Sequence, residues 1–215
     1  LLFLLVLSLA IGAERGEVLG VPFMIFLAPG LIAMQVIQQS FAHSSSSFMI
    51  GKIQGNIVDL LYAPLSAAEV TISVCLAAVT RSFMIAAISI IVFYFMIDIQ
   101  IKHFFTLILF TFLSSFILGN IGTIAGLWSE KFDHMASVTN FVIVPLSFLS
   151  GTFYTIDRLP GFLKTVSEAN PFFYMIDGFR YSFIGNADGS IKVGIIYLTI
   201  LSFLSWLATY ILFKK

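Results

Sequence analysis

Charge is the scarcest thing in this sequence. Asp, Glu, Lys and Arg make up 10% of its 215 residues, and the formal net charge is zero. Soluble domains carry about 25% charged residues, so a water-soluble fold is excluded. A neutral chain also offers no electrostatic case for nucleic acid. Cysteine is nearly missing: Cys75 stands alone inside an apolar run, which rules out an internal disulfide. No glycine-rich loop ends in a lysine, so the chain lacks that cradle for ATP phosphates. His43 adjoins Ser44–Ser47, which is adjacency in sequence rather than a base aimed at a nucleophile. His103 and His134 fall on separate loops without ligand spacing, so no metal site is expected. These absences describe a chain that is not an enzyme and holds no cofactor of its own.

Apolar residues fill the space left. They make up 59% of the chain, Phe alone accounts for 24 residues, and the mean hydropathy is +1.03. A spanning helix needs about 20 mostly apolar residues. Leu1–Ala13 reads as the tail of a truncated first span, so residues 1–215 form a single transmembrane domain, incomplete at its N-terminus. After the polar Glu14–Glu17, a second span is predicted over Val21–Gln39, kinked at Pro29-Gly30, with its polar end running into Ser44–Ser47. The third covers Val70–Ile97, and Asp98–His103 is a tight connection. Phe104–Trp128 is the fourth span, Ser129–His134 a polar loop, and Ala136–Phe153 the fifth span, containing Pro145. Val193–Phe213 is the last, closed by Lys214-Lys215. The expected fold class is therefore all-α, a polytopic membrane protein of six transmembrane helices.

Two further stripes lie before the last span: Leu159, Phe162, Leu163 and Val166, then Phe172, Ile176, Phe179 and Phe183. Pro160 and Pro171 stand near the two helix starts, where proline is tolerated. Each stripe is too short to cross a bilayer, so interfacial or re-entrant helices are expected. Asp177 and Arg180, at i and i+3, are spaced to pair on a polar face.

Gly51–Glu69 lies between two long apolar runs. Ile53, Ile57, Leu60 and Leu61 recur on one helical face, with Lys52, Asn56 and Asp59 opposite, so a short amphipathic helix is predicted. Ala63-Pro64 ends it. Such a helix, set between two spans, is a lever on both.

The same residues carry a resemblance. Phe26–Glu69 (FLAPGLIAMQVIQQSF…SSSSFMIGKIQGNIVDLLYAPLSAAE) resembles the second span and first cytoplasmic loop of type 2 ABC exporter permeases. That family includes drug, polysaccharide and lipo-oligosaccharide exporters. Asn170–Tyr181 (NPFFYMIDGFRY) resembles the family's signature before the last span, represented by Asn170, Pro171, Asp177, Arg180 and Tyr181. The resemblance implies a multi-pass inner (plasma) membrane subunit that moves a substrate outward. It implies a cytoplasmic ABC ATPase as partner, with ATP and magnesium bound there, and a second permease copy, identical or not. It makes Lys52, Ile53, Asn56, Ile57, Asp59, Leu60 and Leu61 the ATPase-coupling residues. It also sets the lever, Ser129–His134 and Lys214-Lys215 on the cytoplasmic side, against a lysine and arginine count that favours the other loops.

Polar side chains in or near the spans are few. Gln35, Gln38, Arg81 and Asn120 are candidates for a substrate path; interhelical hydrogen bonding, or snorkelling in the case of Arg81, is the plainer use. Gly122–Gly126 matches a small-xxx-small pattern, which serves packing within the chain or, less often, a dimer seam. An ion-driven secondary transporter needs acids or histidines inside the spans, and these predicted spans hold none. An intramembrane enzyme needs a convergent catalytic set. A permease driven by a separate ATPase needs only spans, a lever, a partner and surrounding lipid.

Overall fold

A computed structural model describes Val6 and residues 16–58, 64–97 and 99–214. Apart from Val6, the predicted first span Leu1–Ala13 lies outside the described residues, as do Glu14, Arg15 and Asp98.

A two-residue hairpin opens the described chain. Strands β1 (Glu17–Val18) and β2 (Val21–Pro22) pair antiparallel. Leu19 (φ 52) and Gly20 (φ 77) between them are both left-handed, the geometry of a type I′ turn. Helix α1 (Phe23–Gln54) follows and runs for 32 residues. It does not stop near Gln39. The serines that look like a polar end are helical, their hydroxyls satisfied by carbonyls three or four residues earlier: Ser45 donates to Phe41, Ser46 and Ser47 to His43. Gly55, left-handed at φ 76, ends the helix and returns its N–H to the Lys52 carbonyl.

Helix α2 (Ala67–Met96) starts at a capping box, in which the Ser66 hydroxyl accepts from the Glu69 N–H and the Glu69 carboxylate accepts from the Ser66 N–H. Helix α3 (Phe104–Trp128) matches its predicted bounds. Helix α4 (Phe132–Leu149) starts earlier than Ala136 and ends before Phe153, so Phe132–His134 is helical rather than loop. Its middle, Thr139–Ile143, is a π-helical turn in which the Val144 N–H reaches the Thr139 carbonyl. Pro145 follows immediately and has no N–H for the Phe141 carbonyl, so the wider turn sits where the ordinary ladder would break. Two short helices come next, α5 (Gly161–Ala169) and α6 (Pro171–Ile184), and α7 (Ile191–Lys214) closes the fold.

Among the described residues, five helices are long and apolar enough to span a bilayer: α1, α2, α3, α4 and α7. Alternation of spans gathers Phe23, Met96, Phe104, Leu149 and Ile191 at the end that carries α5 and α6. Gln54, Ala67, Trp128, Phe132 and Lys214 gather at the other, the Gly55 end.

Helix α1 is the core. Phe26, Leu27, Ile32, Ile37 and Phe41 are buried on it, against Phe110, Ile117 and Leu118 of α3. The small-residue pattern is packing within the chain, as read: a Cβ at Gly122 would stand 2.5 Å from the Phe41 carbonyl oxygen, and one at Gly126 2.7 Å from that of Ser45. The two short helices differ from each other. On α5 the apolar Phe162 is exposed, whereas α6 is buried along almost its whole length against α1, α3 and α7.

Candidate functional site

At the Gly55 end the expected amphipathic helix is not continuous. Lys52 and Ile53 belong to the last turn of α1, Asn56 sits in the turn after Gly55, and helical backbone resumes at Ile57 and Val58. The physical reason is Gly55, whose left-handed backbone stops α1 between the two halves of the predicted stripe. Asp59, Leu60 and Leu61 lie outside the described residues. The Lys52 ammonium donates to the Leu127 carbonyl and, at 2.9 Å, to that of Ser129. These are terminal carbonyls of α3, where a cation complements the helix dipole. The last turn of α1 is thereby tied to the α3–α4 connection. Asn56 reaches Gln54 through a side-chain bond of 3.2 Å. Ile53 (63% exposed) and Val58 (48%) present apolar surface outward.

A groove follows the seam between α1 and α2. Near the Gly55 end it opens into a pocket of 230 Å³ lined by His43, Ser47, Phe48, Ile57, Val74 and Ala77, among others. Nearer the α5–α6 end lies a second, of 400 Å³, lined by Ile32, Gln35, Ile85, Ile88, Ser89 and Val92, among others. Between them the exposed Arg81 guanidinium donates to His43 Nδ1 at 2.9 Å. On the buried side of the seam the hydroxyls of Ser40 and Ser82 join the helices at 2.5 Å. Elsewhere on α1, Gln38 Nε2 is buried without a partner.

The structure thus brings Gln35 and Arg81 to one seam and leaves Gln38 and Asn120 out of its pockets. Asn120 is fully buried on α3, donating to the Phe116 carbonyl. His43 is the residue sequence reasoning missed. It follows the predicted span end at Gln39 and lies inside α1, one of the helices long and apolar enough to cross a membrane. Its pairing with Arg81 crosses 38 positions and leaves no local signal. The capping box at Ser66 and Glu69 was legible as S-x-x-E, but Glu69 was assigned to the lever.

The signature residues form a clamp at the other end. Asn170 caps α6, accepting from the Phe172 N–H at 3.1 Å, while its amide donates to the Leu146 carbonyl and the Ser150 hydroxyl at the end of α4. Pro171 takes the first helical position. Asp177 and Arg180 do not form the expected ion pair on a polar face. Both are buried, and each has other work. The Asp177 carboxylate accepts from the N–H groups of Asp188 and Gly189, both at 2.9 Å, fixing the turn into α7. Arg180 donates to the carbonyls of Gly151 (2.7 Å) and Thr152 (3.3 Å), and its guanidinium lies 4.0 Å from the centre of the Phe26 ring on α1. Gly30 leaves room for it: a Cβ there would come within 2.9 Å of both the guanidinium and the Thr152 oxygen. The Tyr181 ring stacks on His103, centroids 4.8 Å apart.

Electrostatics follow this packing. Asp188, half-buried and close to the Asp177 carboxylate, has its own carboxyl pushed up to about 6, mainly by burial and then by that neighbour. On the surface, Lys164 and Asp157 form an ion pair of 2.6 Å, and the carboxylate raises the lysine's affinity for its proton.

Comparison with known proteins agrees with this architecture. The sequence model of a family described as "ABC-2 type transporter" matches residues 1–184. The Inner membrane transport permease YadH of Escherichia coli (strain K12) is 33% identical over 187 residues, covering 87% of this chain and 73% of the relative. Nodulation protein J of Rhizobium leguminosarum bv. trifolii is 25% identical over 213 residues, covering 95% of this chain and 80% of that protein.

Proposed function

Because the chain belongs to the ABC-2 type transporter family, as a transmembrane permease subunit of an ABC transporter that works with an ABC ATPase, we propose that it exports a substrate, moving it outward across the inner membrane. Residues 1–215 act as a single transmembrane domain of six spans, Leu1–Ala13 supplying the first, with the Gly55 end in the cytoplasm. On this reading α5 lies in the outer interface, exposing Phe162, and α6 is re-entrant, held within the protein. A second permease copy completes the pathway, surrounding lipid covers the apolar faces, and ATP with magnesium is bound by the ATPase.

The observation that carries the reading is the Gly55 end. Ile53 and Val58 are apolar and uncovered, while Lys52 ties the backbone beneath them to the α3–α4 connection. A partner gripping Ile53, Asn56, Ile57, Asp59, Leu60 and Leu61 pushes on α1 and α2 directly and on α3 and α4 through Lys52. Coupling then proceeds as rigid-body switching between packed arrangements. Gln35 and Arg81 mark the substrate's route along the α1–α2 groove; Asn120 serves helix packing.

The rival is an ion-driven carrier, and His43 inside α1 is the observation in its favour. Its Nδ1 lone pair is engaged by Arg81, which removes that atom from free proton exchange. Reconstitution separates the two readings. Alone, the chain should move nothing in response to a proton or sodium gradient. Co-expressed with its ATPase it should co-purify with it and stimulate ATP hydrolysis. Gradient-driven transport by the lone chain would overturn the proposal.

A further inference from the structure

The α1–α2 groove is charged at its middle and apolar on both sides. Arg81 is the fourteenth residue after Ala67 in a helix of 30 residues. At 1.5 Å per residue it lies about 21 Å from one end of α2 and about 22 Å from the other. Helix α3 gives an independent gauge, because a Cβ at Gly119 would stand 3.0 Å from that of Ala78. Gly119 precedes Trp128 by nine residues. Arg81, nearly one turn beyond Ala78, is then about 18 Å from the same end of α3. Measured along the helices, both ends are farther than an arginine side chain reaches.

A cation set among apolar helices calls for water, protein or an anion against it. Among the described residues no carboxylate is paired with Arg81; the ion pair they contain is Lys164–Asp157. Its partner is neutral. The guanidinium can only donate, so His43 Nδ1 is the unprotonated acceptor, and the imidazole orients Arg81 without cancelling its charge. The Arg81 residue itself is exposed. One turn before Arg81, Ala77 lines the 230 Å³ pocket with Phe48 and Val74. One turn after it, Ile85 lines the 400 Å³ pocket with Ile88 and Val92. Neither lining includes a carboxylate.

We infer that Arg81, oriented by His43, binds the anionic head group of an amphiphile whose apolar part lies in the flanking pockets. A phosphate-type oxyanion matches the planar fork, which offers two parallel N–H groups to one head group. The consequence for transport rests on the permease reading, whereas the binding itself does not.

Dodecyl phosphate, dodecyl maltoside and inorganic phosphate serve as probes, titrated calorimetrically into the permease in phosphatidylcholine nanodiscs. Dodecyl phosphate should bind at least about tenfold tighter than either of the others, and Arg81→Gln should lose about that factor. Arg81→Lys, which keeps the charge and loses the fork, should fall between them and remains informative where Arg81→Gln fails to fold. Equal binding of dodecyl phosphate by wild type and by whichever Arg81 variants fold overturns the inference, as does inorganic phosphate binding as tightly as the amphiphile. Nanodiscs containing phosphatidylglycerol distinguish the source of the head group. Competition identifies a membrane lipid as occupant, and its absence a separate amphiphile; both outcomes support an anion site. ATPase co-purification is measured in parallel. A wild-type chain that fails to co-purify defeats the permease reading, while insensitivity to Arg81 with intact co-purification defeats only this inference.

Discussion

Arg180 and Arg81 carry the same side chain to opposite ends of the same packing logic. Arg180 is buried on α6, donates to two backbone carbonyls and lies against the Phe26 ring. Arg81 is exposed on α2 and bonds a neutral histidine. Around Arg180, carbonyls, an aromatic face and a glycine-sized gap join α4, α6 and α1 into one body. Arg81 lies between two pockets along the α1–α2 seam. The clamp at α6 therefore holds the fold together, while the α1–α2 seam leaves a cation exposed.

The sharpest test of that contrast is stability. Arg180→Met should cost about 3 kcal/mol, since it strips a buried site of its cation and leaves carbonyls unpaired. Arg81→Met, at an exposed site, should stay within about 0.5 kcal/mol of wild type. Thermal unfolding in detergent reads both, and equal losses would erase the distinction between clamp and groove. Gly30→Ala narrows the claim to geometry. Its Cβ would meet the Arg180 guanidinium and a backbone oxygen at 2.9 Å, and overpacking there should cost about 2 kcal/mol in the same assay.

Coupling is expected to be the middle-sized effect, and it falls at the opposite end. Asp59→Lys with Asn56→Trp should leave membrane insertion normal and weaken ATPase association by about tenfold, roughly 1.4 kcal/mol. Wild-type co-purification and wild-type stimulation of ATP hydrolysis by that double variant would reduce the stretch to a connecting loop.

The smallest effect is a pH dependence confined to the clamp. Asp188 has its carboxyl raised from the ordinary 3.8 to about 6. The folded state therefore binds this proton more tightly than the unfolded chain does. Its contribution to stability is fully present below about pH 4 and is lost as pH rises through about 6. Asp188→Asn keeps an acceptor for the Ile156 N–H and removes the charge. It should unfold at a higher temperature than wild type at pH 7, by about 1 kcal/mol after allowing for the group's partial exposure, and show no gain at pH 4. A gain of the same size at both pH values would mean that the charge of Asp188 is not what burial penalises.

Much of this protein is decided by composition and period. A chain this apolar has to satisfy its backbone inside lipid, so long helices follow from the residues alone, and α3 fell where its hydrophobic run placed it. The ends of helices were harder, because they depend on what polar side chains do next. Ser45, Ser46 and Ser47 look like a boundary in sequence, yet in space they bond back into α1, which runs on to Gln54. Gly55 then splits a stripe that the sequence alone presents as one lever. The clamp and the groove were beyond any local reading. Arg180 was spaced to meet Asp177, but the carbonyls of Gly151 and Thr152 arrive from the end of α4, and no period in the sequence encodes that meeting. His43 and Arg81 belong to different helices, and only their packing makes them a pair. Sequence fixes which segments must leave water, since transfer free energy is a sum over residues. Which polar groups find one another depends on the docking of whole helices, and that is a property of the packed molecule.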